Sequence, residues 1–239
     1  GPEEGLILCG GDGTLNRFIN DTAGLKRPEA LFYYACGSGN DFLRDAEKDP
    51  SQGPFLLTPY LRSLPQVQVK GAAHFFINGI GYGIDGYCCE KGDELRKKST
   101  RPVNYTAIAI KGLLFHYHPT GARVTVDGNT LCFDHVWLAP VMLGRCYGGG
   151  MRPTPQQDRF APEKTLSLMV YHCPGKLRAL AAFPSIFKGE HVKYRNMVQI
   201  LTGRRIRVEF DRPTPLQIDG ETILDVTEYE AFFPPAESL

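Results

Sequence analysis

The segment Gly10-Gly11-Asp12-Gly13-Thr14-Leu15-Asn16-Arg17 directly follows the apolar run Leu6-Ile7-Leu8-Cys9. A strand that runs into paired glycines lets main-chain N–H groups approach an anion with no side chain in the way, and Thr14 adds a hydroxyl donor. The stretch reads as a phosphate cradle. It lacks the Gly-Lys-Ser/Thr ending of a Walker loop and the wider three-glycine spacing of a dinucleotide fingerprint. Asp12 is the odd residue, because a carboxylate beside phosphate is repelled unless it holds a metal or takes a proton from a nucleophile. Both uses belong to phosphoryl transfer. The structural reading of the same residues is a glycine turn in which Asp12 caps the next helix.

A second unit repeats the pattern. The apolar run 30–35 leads into Cys36-Gly37-Ser38-Gly39-Asn40-Asp41-Phe42-Leu43-Arg44. Its glycines and serine again permit close backbone approach, Asn40 and Asp41 are suited to cap the helix that follows, and Phe42 and Leu43 begin its buried face. Two strand-loop-helix units in succession place both loops at the same carboxyl edge of a parallel sheet.

These residues resemble the two nucleotide-site motifs of the diacylglycerol kinase catalytic-domain family, which includes sphingosine kinases and bacterial lipid kinases. Gly81-Tyr82-Gly83-Ile84-Asp85 is similar to that family's Gly-x-Gly-x-Asp stretch, Tyr147-Gly148-Gly149-Gly150-Met151 to its Gly-Gly-Gly turn, and Asp219-Gly220-Glu221 to its late Asp-Gly-Glu motif. The resemblance implies an α/β nucleotide-binding domain of the NAD kinase/diacylglycerol kinase kind, followed by a β-rich, sandwich-like domain that helps bind lipid. It implies transfer of the γ-phosphoryl group of ATP, with magnesium (Mg2+), to a lipid hydroxyl, diacylglycerol above all. By motif, Gly10, Gly11, Gly13, Thr14, Asn16, Gly37, Ser38, Gly39, Asn40, Asp41, Asp219 and Gly220 fall to the nucleotide site. Asp12 becomes an essential acid and the magnesium contact, and Glu221 the general base, ranked ahead of Asp12. A lipid alcohol is a poor nucleophile at neutral pH, so a carboxylate within reach of its hydroxyl is the minimum the chemistry needs. Read without the resemblance, Asp219-Gly220 after Leu216-Gln217-Ile218 is a hairpin turn, which is compatible with projecting Glu221 into a cleft.

The first motif also occurs in NAD kinases, so a small-molecule kinase remains an alternative, as does a lipid-binding module without a working ATP site. Family members usually carry an Asn-Pro-x-x-Gly loop some tens of residues before the first motif, which here begins at Gly10; the expectation is a nucleotide domain truncated at its amino terminus, with Gly1-Pro2 read as an expression scar. Where bacterial members place an Asp-Gly linked to a structural magnesium, this chain has Glu163-Lys164, and the Lys164 ammonium is expected in place of that cation.

Among 239 residues, 42% hydrophobic content is enough for real cores, and a formal net charge of +1 with no nucleic-acid motif argues against a nucleic-acid partner. Seven cysteines without metal-like spacing read as reduced, buried thiols of a cytoplasmic protein. His116 and His118 lack a third ligand nearby. No apolar run is long enough to span a bilayer, so a lipid substrate has to be met at the membrane surface. The basic clusters Arg96-Lys97-Lys98 with Arg101, and Arg204-Arg205 with Arg207, are weighed as headgroup contacts against a solvated face.

The chain divides into residues 1–66, a partial α/β ATP-binding domain, and 67–239, β-rich, with about the last fifteen residues packing back on the first part. Strands are expected at 67–69, 75–78, 122–126, 130–133, 135–138, 166–170 and 206–210, and helices at 105–114 and 176–183. Phe75, Phe76, Leu113, Leu114, Phe115, Phe183 and Phe187 are weighed as lipid-channel lining against core packing. An unpaired edge strand in the β-rich part offers a route to a homodimer.

Overall fold

A computed structural model describes residues 5–37, 39–98 and 103–235 of the chain. Ser38 and Arg101, both named above, lie outside the described residues, as do Gly1 and Pro2. Strands β1 (Leu6–Gly10) and β2 (Leu31–Ala35) pair in parallel, and β3 (Phe55–Leu56) joins β2 antiparallel. Helix α1 (Asp12–Asp21) leaves β1 through Gly11, and the short α2 (Asp41–Asp45) follows β2. Both glycine loops therefore lie at one sheet edge, as their sequence demands.

The rest of the chain builds one ten-stranded sheet from β4 (Gln66–Val69), β5 (Ala72–Phe75), β6 (Gly79–Tyr82), β7 (Thr120–Val126), β8 (Asn129–Leu138), β9 (Val141–Met142), β10 (Leu166–His172), β11 (Val198–Gly203), β12 (Arg205–Ile218) and β13 (Glu221–Phe232). The sandwich-like part closes on itself. β12 pairs with β6 through residues 216–218 and with β7 through 206–210, completing the circuit β12-β6-β9-β10-β8-β7 as a six-stranded barrel. Arg212, Pro213 and Pro215 lie in the middle of β12, where its register with β13 shifts; proline donates no ladder hydrogen bond, so the strand bends there and serves two neighbours. Of the last fifteen residues, those to Phe232 are strand paired with β12 and β4.

Helices α3 (Ile84–Lys98), α4 (Tyr105–Lys111), α5 (Lys176–Ala182) and α6 (Ser185–Lys188) cover one outer face of this barrel. β10 shows why. Leu166, Leu168 and Val170 point into the barrel core, while Met169 and Tyr171 belong to a second core under the helices. A strand buried on both faces reads as a continuous apolar run. The Tyr171 hydroxyl donates to the Ala179 carbonyl at 2.6 Å and fastens α5 to the strand.

Local chemistry accounts for the turns. Asp127-Gly128 and Asp219-Gly220 are two-residue hairpin loops, each with both residues at positive φ (47° and 86°; 46° and 97°), the mirror-image geometry that matches strand twist. Elsewhere the expectations need correction. Residues 130–133 and 135–138 form one strand, bulged at His135, whose φ of 55° marks the irregularity. Residues 76–78 leave the strand, because a distant carboxylate gathers the N–H groups of Ile77 and Asn78. Of the seven cysteines, Cys9, Cys36 and Cys132 are exposed.

Helix α3 lies so close to β12 that a Cβ at Gly86 would sit 1.8 Å from the Pro215 carbonyl oxygen. Gly86→Ala is therefore expected to destabilise the fold by about 2 kcal/mol or more through forced backbone displacement. Thermal unfolding of the two proteins checks this, and an unchanged midpoint would show that the contact is soft.

Candidate functional site

The two glycine loops touch. A Cβ at Gly37 would lie 2.4 Å from the Cα of Gly11, so neither residue tolerates a side chain without parting the loops. Across this seam the Asp12 carboxylate accepts the N–H groups of Asp41 (2.8 Å) and Phe42 (3.1 Å). Asp12 thus caps α2, the helix after the other loop, and not the one it begins. The Asn40 side chain makes no capping bond; its Oδ1 is buried without a partner. Burial raises the Asp12 carboxyl to about 6 against those two N–H bonds, with the charge of Asp41 adding to the rise.

Asp41 carries the chain of contacts onward. It accepts from Arg44 at 2.9 Å and from the Gly149 N–H at 2.8 Å. Gly148, Gly149 and Gly150 have φ of 60°, 83° and 103°, a run of left-handed conformations that fits glycine. At the far end of α2, Asp45 pairs with Arg145 and with Arg159, the latter pair almost wholly buried at 3% and 6% side-chain exposure. The Arg159 guanidinium also stacks on Phe42 and Tyr60. The buried cation of the 155–165 loop is therefore Arg159. Lys164 is exposed and makes no ion pair among the described residues, contrary to expectation.

Asp219 faces inward. Its Oδ1 accepts from Asn78 and Gly79 (both 2.9 Å) and its Oδ2 from Ile77 (2.7 Å) and the Asn16 amide (2.9 Å). These bonds bend residues 76–78 out of strand and bind α1 to the β12–β13 hairpin. Asn16, read as a nucleotide contact, is buried in this network and also donates to the Phe75 carbonyl. Gly10 lies beneath Thr14, and neither Gly10, Asn16 nor Asn40 reaches the cleft wall.

That cleft has a volume of about 540 Å³. Gly11, Asp12, Gly13, Thr14, Gly37, Gly39, Asp41, Gly148, Gly149, Asp219, Gly220 and Glu221 give it a polar limb. Ile84, Cys88, Val103, Ala109, Leu138, Met151, Phe183 and Phe187 give it an apolar limb under the helical layer. Phe75, Phe76 and Leu113 pack in the cores instead. Asp85 joins the two limbs. It accepts from Gln217 at 2.8 Å, and Gln217 in turn accepts the Gly220 N–H at 2.6 Å. Burial raises Asp85 to about 6. Its presence in the quoted Gly81–Asp85 stretch was the signal that it belongs with the site residues. Glu221 is mostly exposed, 3.7 Å from Arg17. Among the described residues no three His, Cys, Asp or Glu side chains converge as a metal cage.

A family model described as the diacylglycerol kinase catalytic domain matches residues 2–59, and one described as the YegS C-terminal NAD kinase beta sandwich-like domain matches residues 78–237. The chain belongs to the family of the second model, which matches two thirds of it, and its first part is similar to the diacylglycerol kinase catalytic domain. It is 26% identical to "Putative lipid kinase YtlR" of Bacillus subtilis, over 97% of this chain and 78% of that protein. It is 24% identical to a diacylglycerol kinase of Mycobacterium tuberculosis, over 80% of this chain and 62% of that protein. A crystal structure titled as a diacylglycerol kinase from Bacillus anthracis superposes with a TM-score of 0.58 at 18% identity, over 95% of this chain and 72% of that one, which shows the common fold.

Two predictions come from the acids. Asp219→Ala leaves three main-chain N–H groups without acceptors and takes from the Asn16 amide one of its two, and a loss of about 3 kcal/mol or more in denaturant unfolding is expected. Asp85 is held above its ordinary 3.8, so the native state binds its proton more tightly and stability falls as pH rises from about 4 to about 6. Asp85→Asn removes that cost: it is expected to be more stable than the parent by about 2 kcal/mol at pH 7, with the difference gone near pH 4. Equal stabilities at pH 7 would contradict the raised value.

Proposed function

We propose that the chain forms the core of an ATP- and magnesium-dependent lipid kinase that phosphorylates a lipid hydroxyl, diacylglycerol being the favoured acceptor. The observation that carries the reading is the lining of the cleft: anion-cradling glycine backbone on one side, apolar side chains of the helical layer on the other, and carboxylates between them. An acceptor that is polar at its reacting end and apolar beyond it fits this shape. A nicotinamide dinucleotide, polar along its length, does not use the apolar limb.

Gly11, Gly13, Thr14, Gly37 and Gly39 would receive the phosphates through N–H and hydroxyl donors. Magnesium fits this site as an ion shared with the phosphates, since no protein cage is present among the described residues. Asp12 would hold it through the lone pairs its two N–H bonds leave, and when bound it neutralises phosphate charge. Glu221, projected by the hairpin and bonded to no backbone donor among the described residues, would take the proton from the lipid hydroxyl as its oxygen attacks the γ-phosphorus. Asp85 would accept a hydrogen bond from the headgroup at the junction of the limbs. Asp41 and Asp219 serve as positioning residues, their oxygens already engaged.

Labelled γ-phosphate transfer from ATP to a panel of lipid alcohols in mixed micelles tests the reading. Diacylglycerol is expected to be labelled, and labelling of none of the lipids despite lipid binding would favour a module without catalysis. Glu221→Gln is expected to lower turnover by a factor of about 10² or more with ATP affinity kept. Retained turnover would move the base to another carboxylate, and an inflection near pH 6 lost in Asp85→Asn would identify Asp85 as that group.

A further inference from the structure

The helical layer that roofs the apolar limb has an outer face which the proposed chemistry does not use. Phe115, in the π turn Gly112–His116, is 67% exposed and Leu177 on α5 is 76% exposed; Ile110, five residues before Phe115, is also exposed. α5 packs on that π turn, and both anchor in the same core through Leu113, Ala179 and Phe183. The apolar face is flanked by Lys111, Lys176, Arg178 and Lys188, none in an ion pair among the described residues. The chain carries no acidic residue between Glu94 and Asp127, and none between Glu163 and Glu190, so α4, the π turn, α5 and α6 are free of negative charge, the acids of the layer being confined to α3.

The second basic cluster of the sequence behaves differently. Arg205 pairs with Glu230, and Arg207 with Glu228, across β12 and β13. That face is electrically closed and offers little to an anionic surface.

We propose that the outer face of α4, the π turn and α5 is the surface that docks on an anionic lipid bilayer, with Phe115 and Leu177 entering the acyl boundary and Lys111, Lys176 and Arg178 meeting the headgroups. The inference rests on the lipid kinase reading. It is carried by charge complementarity and by continuity: Tyr105 and Ala109 on α4, and Phe183 directly after α5, line the cleft, so docking here sets the lipid-binding cavity against the membrane. Exposed aromatic and aliphatic side chains ringed by cations are the composition such interfacial elements need.

Vesicle co-sedimentation without ATP tests this surface independently of turnover. The parent protein is expected to partition onto vesicles of phosphatidylcholine mixed with phosphatidylglycerol, and much less onto phosphatidylcholine alone. Phe115→Ser with Leu177→Ser is expected to weaken partitioning by about tenfold or more, with an unchanged thermal midpoint because both residues are exposed. Lys111→Glu with Arg178→Glu is expected to abolish the preference for the anionic vesicles. Ile7→Ser with Leu56→Ser, on the exposed apolar part of the three-stranded sheet, is the control and is expected to bind as the parent does. Parent-like binding by the Phe115/Leu177 pair, or loss with the control pair, would overturn the proposal. Transfer to a monomeric short-chain diacylglycerol separates the two claims. If the parent labels it, the Phe115/Leu177 pair is expected to label it equally; if the parent does not, the kinase reading fails while the vesicle result still judges the surface.

Discussion

The carboxylate of Asp219 holds the two parts of the molecule in one arrangement. Its four accepted hydrogen bonds join the β12–β13 hairpin to the bend at 76–78 and, through Asn16, to α1. Together with the bonds between the Asn20 side chain and the Phe75 main chain, that anchor fixes the first glycine loop relative to Glu221, two residues further along the hairpin. Burying a carboxylate is costly, and here the cost is offset by donors that would otherwise be unpaired themselves. The Asp-Gly-Glu segment accordingly divides its labour: the aspartate faces the interior and the glutamate faces the cleft, as the turn geometry between them requires.

A second relay runs along the seam of the loops. Asp12 caps α2, Asp41 at the start of α2 takes the Gly149 N–H, and Asp45 at its end is clamped by Arg159 and Arg145. A five-residue helix has little stability of its own. Three aspartates, one before it and two within it, pin it between the first glycine loop and the Gly-Gly-Gly turn, so the polar limb is assembled by carboxylates that do not themselves need to touch a ligand. Asp41 and Asp219 are acids of the site in this supporting sense, and Asp12 combines it with the proposed magnesium contact.

Local chemistry was readable from the sequence and long-range chemistry was not. The parallel pair β1–β2, the two Asp-Gly hairpins and α5 follow from glycine, turn and periodicity signals carried by neighbouring residues. Helix α3 escaped notice because Gly86, Gly92 and the adjacent Cys88 and Cys89 blur its apolar period. Residues 76–78 have strand composition, yet they leave the strand because Asp219, some 140 positions away, collects the N–H groups of Ile77 and Asn78. In the same way the partner of Asp12 is on another helix, and the cation that replaces an expected Lys164 contact is Arg159, whose acceptor lies 114 residues upstream. The apolar limb is assembled from α3, α4 and the end of α5, and no single segment announces it.

Amide hydrogen exchange with a non-hydrolysable ATP analogue and with a short-chain diacylglycerol, each added alone, tests the two-limbed cleft most directly. The account predicts that the nucleotide protects residues 10–14, 39–42 and 148–150, while the lipid protects 84–92, 105–113 and 183–187. Protection of the same segments by both ligands, or protection of the helical layer by the nucleotide alone, would contradict it.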